Sequence, residues 1–260
     1  MNSASTEPWE NPVRKRLRAG EPAFGLTITV NSPEVAAYAA GLGFDFLWVE
    51  MEHSPVTLET LRNIVLATRA SPAVPFARVP VNELWTAKRV LDLGVHGVMF
   101  PFSSTPELAR QAAAACRYPL EGRRGSGAFL ASLSWPDQTT PYPDSADRNV
   151  VVVTIIEEAR AVEQIDEIAA TPGVDVLFIG TSDLAFSLGL RGRQDHPALQ
   201  EAIAKVTAAA QRNGKWLGRP AFTADRIQEY LAQGFRFFQA SSDLRLLASG
   251  AKQLLAGLGR

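Results

Sequence analysis

The run FDFLWVEMEHSPV, residues 44–56, places Glu50, Glu52 and His53 together at the end of an apolar stretch. An imidazole beside carboxylates can carry a proton near neutral pH. Two further acids close other apolar runs: Glu157 in VVVVTIIEE and Asp183 in GTSD. Two carboxylates brought together repel unless a cation lies between them. Oxygen ligands without Cys or His suit a hard ion such as Mg2+ or Mn2+, with water and substrate completing its shell. Taken singly, each acid could equally cap a helix, and His53 could be a structural imidazole. Arg78, in FARVP, and Arg219, in KWLGRP, end two more runs. The stretch Gly180-Thr181-Ser182-Asp183 opens a helix whose free N–H groups suit a carboxylate or phosphate, although Thr-Ser-Asp is also ordinary capping chemistry.

These residues need elements that bring them to one place. Eight apolar runs, at 24–30, 44–51, 74–79, 96–100, 149–156, 175–180, 215–220 and 235–240, alternate with helical patterns. The runs are continuous rather than alternating, as in strands covered on both faces. The helical patterns cover 33–42, 58–70, 83–93, 106–117, 158–170, 197–213, 224–233 and 243–258, several followed by a glycine stop. Eight such pairs over roughly 250 residues predict an α/β fold, a (β/α)8 TIM barrel. A doubly wound sheet is the rival, but no G-x-G-x-x-G follows the first run. In a barrel, strand C-termini share one mouth, and the acids, arginines and His53 all fall there. Residues 1–10 are expected to form a loose tail and 11–260 one barrel domain. Residues 120–148, rich in Gly, Ser, Pro and Asp, are expected to form a lid or a subunit-contact loop.

Composition narrows the partners. The formal net charge of −1 offers no field for nucleic acid or an anionic membrane. The basic cluster at 14–18 is expected to be a solvated helix face. One cysteine, Cys116, forms no internal disulfide and fits a cytoplasmic location. No apolar stretch is long enough for a membrane helix, and the first residues lack the apolar core of a signal peptide. His96 is placed at the barrel bottom and His196 at a helix start. None of the five lysines falls inside the barrel at the mouth, which argues against Schiff-base chemistry.

FDFLWVEMEHSP, FARVP, VLDLG, CRYPLEGRRGSG, TIIEEARAVEQID and FIGTSDLAFSLG, in this order and spacing, resemble the HpcH/HpaI aldolases. The resemblance runs from about Asn11 to the C-terminus. It implies a barrel of the phosphoenolpyruvate/pyruvate type whose last helix is swapped onto a neighbouring subunit, in a homohexamer built as a trimer of dimers. It further implies a class II aldolase that uses Mg2+, Mn2+ or Co2+ to join or split pyruvate, or a related 2-oxo acid, and an aldehyde. By position, Glu157 and Asp183 look like the metal ligands and His53 like the base. Asp92, in VLDLG, looks like the acid that pairs with that base, across a subunit interface or within one chain. Arg78 looks like the holder of the keto oxygen, and Gly180, Thr181 and Ser182 like the seat of the carboxylate. A CoA-ester lyase of the same superfamily and a non-catalytic oxo-acid binder are the alternatives.

The chain departs from the family pattern in four places. Ile155 stands where Gln is common, Glu50-Met51 where Asp-Gly is common, and Thr27 where Trp is common. Gly218-Arg219-Pro220-Ala221 replaces Gly-Phe-Leu-Ala at the end of the seventh run. A guanidinium at 219 is expected either to clamp an anionic aldehyde or to pair with an acid such as Glu52 or Asp243.

Overall fold

A computed structural model describes residues 9–259 of the chain. Eight parallel strands close into a barrel in chain order. They are β1 (Ala23–Ile28), β2 (Phe46–Glu50), β3 (Val74–Arg78), β4 (Gly97–Phe100), β5 (Val151–Ile156), β6 (Val176–Ile179), β7 (Trp216–Pro220) and β8 (Phe237–Ser242). Each lies within two residues of its expected run. The helices are α1 (Pro12–Arg18), α2 (Pro33–Ala40), α3 (Leu58–Ala67), α4 (Leu84–Leu91), α5 (Pro106–Ala115), α6 (Phe129–Ser134) and α7 (Tyr142–Asn149). They continue with α8 (Ala159–Glu163), α9 (Ile165–Ala169), α10 (Thr181–Ser187), α11 (Pro197–Arg212), α12 (Ala224–Ala232) and α13 (Asp243–Gly257). The single helix expected over 158–170 is broken at Gln164 into α8 and α9. Ser32, Thr57, Thr105, Thr223 and Ser242 cap the following helices through their hydroxyls.

Two apolar layers hold the barrel. The lumen is filled by alternate strand residues, among them Phe46, Trp48, Phe76, Met99, Val153, Ile155, Phe178 and Phe237. The intervening residues, such as Leu47, Ala77, Leu177 and Leu217, pack outward against the helices. Aromatic rings fit the lumen because glycines face them. A Cβ at Gly97 would meet the Phe76 ring at 2.5 Å, and one at Gly25 would overlap Phe46. Period-two alternation carries this lumen face up to the mouth. Phe46, Trp48 and Glu50 pair with Val74, Phe76 and Arg78, so the register sets Glu50 beside Arg78.

Two expectations are corrected at the opposite end. Helix α5 runs back from the mouth, so residues 120–148 join it to the start of β5 at the barrel floor. There Trp135 stacks on His96 with centroids 4.7 Å apart, and Arg62 reaches the Leu93 carbonyl at 3.1 Å. The segment is therefore not a lid over its own mouth. Trp9 and Glu10 do not belong to a loose tail either. Trp9 meets Trp135 edge-on at 5.3 Å, and Glu10 pairs with Arg18 at 3.0 Å. The rest of the expected tail lies outside the described residues. On α1, Lys15 and Arg18 are exposed as expected of a solvated face, while Arg14 meets Asp175 at 2.8 Å and Arg16 meets Asp45 at 3.2 Å. Cys116 is buried, and burial pushes its thiol up to about 12.

Candidate active site

At the mouth, Glu50 organises the end of β2. It is buried, and its Oε1 accepts hydrogen bonds from the backbone N–H groups of Glu52 and His53 at 2.8 and 3.0 Å. Its Oε2 accepts from Arg78 Nε at 2.7 Å and lies 2.6 Å from Nη2. The Ser54 hydroxyl also donates to the Glu50 carbonyl. The carboxylate thus folds the turn that follows β2 and fixes the Arg78 guanidinium by a two-point contact. Arg78 Nη1 lies 3.1 Å from Glu52 Oε2, and the guanidinium sits 5.6 Å from the Trp48 ring centroid.

Glu52 is the bridge to the imidazole. Its Oε2 stands 3.6 Å from His53 Nε2, while the His53 side chain is 63% exposed at the rim. Burial raises the Glu52 pKa; Arg78 and His53 offset part of that rise, whereas Glu50 and Asp183 add to it. Glu52 was quoted with the opening cluster but given no role in the site. Its spacing of two from Glu50 was the available signal, because a residue beyond the strand end can turn back toward the same mouth.

Glu157 rises from the end of β5 directly above lumen-facing Ile155. It is buried, and its Oε1 accepts the backbone N–H of Phe102 at 2.7 Å. Phe102 adopts a left-handed φ of 46°, an uncommon conformation for a side-chain-bearing residue, and so turns that N–H into the site. Gly180 leaves room for the acid, since a Cβ there would lie 2.8 Å from Glu157 Oε2. Burial pushes the Glu157 pKa up to about 7; the Phe102 bond opposes this, and the neighbouring Glu52 and Asp183 carboxylates reinforce it. Asp183 is exposed in the first turn of α10, next to Thr181 and Ser182. Among the described residues neither Glu157 nor Asp183 has a basic partner within ion-pair distance; Arg78 is engaged by Glu50 and Glu52.

His53, Arg78, Glu157, Asp183 and the Gly180–Ser182 turn all belong to the mouth. Asp92 does not join them within one chain. It caps the C-terminal end of α4 at the barrel floor, where Arg124 holds it at 3.1 Å. Arg219 is corrected as well. In β7 it is Gly218 that faces Phe178 and Phe237 in the lumen, so Arg219 points outward, over the Tyr230 ring at 3.5 Å. It clamps nothing inside the barrel, and it pairs with neither Glu52 nor Asp243. Glu52 is taken by Arg78, and Asp243 accepts the N–H groups of Thr29 and Val30 at 2.7 and 2.8 Å. Thr27, in place of the expected Trp, accepts Gln239 Nε2 at 2.8 Å. His196 caps α11 through Nδ1, as expected. His96 is buried on the floor, and burial lowers it to about 3.

A closed parallel barrel whose acids, arginine and imidazole meet at the C-terminal mouth is the architecture of a (β/α)8 enzyme. The model of the HpcH/HpaI aldolase/citrate lyase family matches residues 24–250. A hydroxypyruvate/pyruvate aldolase of Roseobacter denitrificans is 35% identical over 246 residues, covering 95% of this chain and 96% of its own. A 5-keto-4-deoxy-D-glucarate aldolase of Escherichia fergusonii is 36% identical over 254 residues, covering 96% and 97%. The crystal structure of an HpcH/HpaI aldolase/citrate lyase family protein from Burkholderia cenocepacia superposes with a TM-score of 0.89 at 34% identity, covering 96% of this chain and 100% of that one. The chain belongs to the HpcH/HpaI aldolase/citrate lyase family and is, with its aldolases, a carbon–carbon lyase.

Proposed function

We propose that the chain is a divalent-metal-dependent class II aldolase that joins and splits pyruvate, or a related 2-oxo acid, and a short polar aldehyde. The observation that carries this reading is the unneutralised acid pair. Glu157 and Asp183 face one mouth without a basic partner, and Glu157 is driven up to about 7 by burial and its acidic neighbours. That donor set fits Mg2+, Mn2+ or Co2+, with two carboxylates from the protein and the remaining positions left to water and substrate. When bound, the cation supplies Lewis-acid polarisation of the 2-oxo acid.

The remaining roles fall to the chain itself. The free N–H groups of Thr181 and Ser182 receive the substrate carboxylate. Arg78, locked by Glu50, directs its remaining N–H groups at the keto oxygen and stabilises the charge that develops there. His53 takes the proton of the 4-hydroxyl, the bond between C3 and C4 breaks, and its electron pair passes to the oxo group as pyruvate enolate while the aldehyde departs. Glu52, 3.6 Å from the imidazole, orients it toward the mouth. Proton return to C3 completes the cycle. The relative named for hydroxypyruvate and pyruvate supports a 2-oxo acid of three carbons, and the one named for a keto-deoxy sugar acid supports a hydroxylated substrate.

Substitution at the acid pair tests the reading. Glu157→Gln and Asp183→Asn are each expected to fold with an unchanged circular dichroism spectrum and to lose Mn2+ binding in calorimetry. Mn2+ binding of wild-type strength by the double variant would remove the proposed ligands.

A further inference from the structure

Arg219 is 6% exposed, yet among the described residues it makes no hydrogen bond and no ion pair, and its Nε is buried without an acceptor. Burying an uncompensated guanidinium is costly. One face of the group is covered by Tyr230, with Phe235 at 5.1 Å. Stacking supplies some attraction, but it leaves the N–H edge unused. Beside the group lies a cavity of about 750 Å³ between β7, β8, α10, α11 and α12, bordered by Thr181, Ser182, Gln194 and Gln233 and reaching the mouth at Gln239. Two acids also line it. Glu229 is engaged by Arg226 at 2.8 Å, and Asp195 is exposed with no ion pair to Arg219. The volume is that of a small-molecule site.

We propose that Arg219 anchors a second binding site, beside the mouth and between β7 and α12, that takes a small organic carboxylate. With its face on Tyr230 and its Nε buried, the group can offer the cavity only its Nη edge, two N–H groups side by side that match the two oxygens of a carboxylate. Hydroxyl and amide groups of Thr181, Ser182, Gln194 and Gln233 surround the same space and can hold the polar remainder of such a molecule. The site borders the α10 turn that carries Asp183, so its occupant touches the segment that forms one wall of the mouth. None of its groups is a proposed metal ligand; Thr181 and Ser182 border both this cavity and the proposed carboxylate seat, so Arg219 is the group that tells the two apart.

The test uses the full-length protein, stripped of metal with EDTA, in thermal melts and calorimetry. Sodium acetate and sodium succinate are the probes, with sodium chloride and phosphate as controls at matched ionic strength. The expected result is a saturable rise in Tm with the carboxylates. In Arg219→Met that binding should weaken about tenfold to a hundredfold, the loss of hydrogen bonds to a charged group. Arg219→Met without ligand should melt at or above the wild type, because the charge it removes has no partner. Three results would overturn the proposal: no saturable carboxylate effect in the wild type, an equal effect in Arg219→Met, or binding of phosphate alone. If Arg219→Met fails to fold, Arg219 is a structural cation and the proposal falls, unless wild-type crystals with acetate show density against the Arg219 Nη edge. Density confined to the barrel mouth would overturn it independently of any variant.

Discussion

Glu157 concentrates the electrostatic tension of the site in one group. Its carboxyl titrates near 7 in the folded chain against an ordinary 4.5. Between those values the folded state holds more protons than the unfolded one, so stability falls as pH rises through the window and is lost in full above it. In metal-free protein the loss is about 3 kcal/mol, from the size of the shift. Urea melts from pH 4 to 8 should show this decline in the wild type and not in Glu157→Gln; parallel curves would place the strain elsewhere. His53 makes a separate prediction. His53→Gln should lose aldol cleavage by about a hundredfold to ten-thousandfold, the range of general base catalysis. It should keep decarboxylation of oxaloacetate, which needs no proton taken from a hydroxyl. Equal loss in both assays would make His53 structural. Most of these side chains were legible because strand ends in a barrel share a mouth. Arg219 was misread for a physical reason: residence at the mouth fixes height, not direction. The alternation that puts Gly218 in the lumen turns Arg219 out, and that signal was available in KWLGRP.

The strands and helices were legible because both periodicities are strong here and glycines mark the returns to the next strand. Of the two readings of segment 120–148 only the lid fails, because an outward helix followed by a parallel strand must make that connection at the floor. Its packing could not be read, since Trp9, His96 and Trp135 meet from positions far apart in the chain. Helix α13 makes the clearest prediction at this scale. No residue on it is buried, and Leu247 and Leu254 are each 68% exposed. So many exposed leucines on one helix are the kind of apolar patch that partner surfaces cover. On the floor, Phe129 is 73% exposed and belongs to the same problem. We expect light scattering to find an oligomer, and Leu247→Glu with Leu254→Glu to dissociate it toward monomer. A monomeric wild type at micromolar concentration would contradict this.

For the molecule as a whole, the barrel keeps two demands apart. The lumen and floor are packed with aromatic rings and hold the frame, while the mouth gathers charges that repel one another in the absence of a cation. Asp92, on the floor beside Arg124, is kept from the His53 of its own barrel, so the pairing of Asp92 with His53 that the resemblance implies could form only with a neighbouring copy. Among the described residues no helix is long and apolar enough to cross a membrane. The measurement that bears most directly on the central claim is aldol cleavage of a 4-hydroxy-2-oxo acid by EDTA-treated, desalted enzyme, followed as pyruvate released, before and after addition of Mg2+, Mn2+ or Co2+. The account predicts no turnover in the stripped enzyme and recovery on adding the ion. Undiminished turnover in the metal-free enzyme would contradict it.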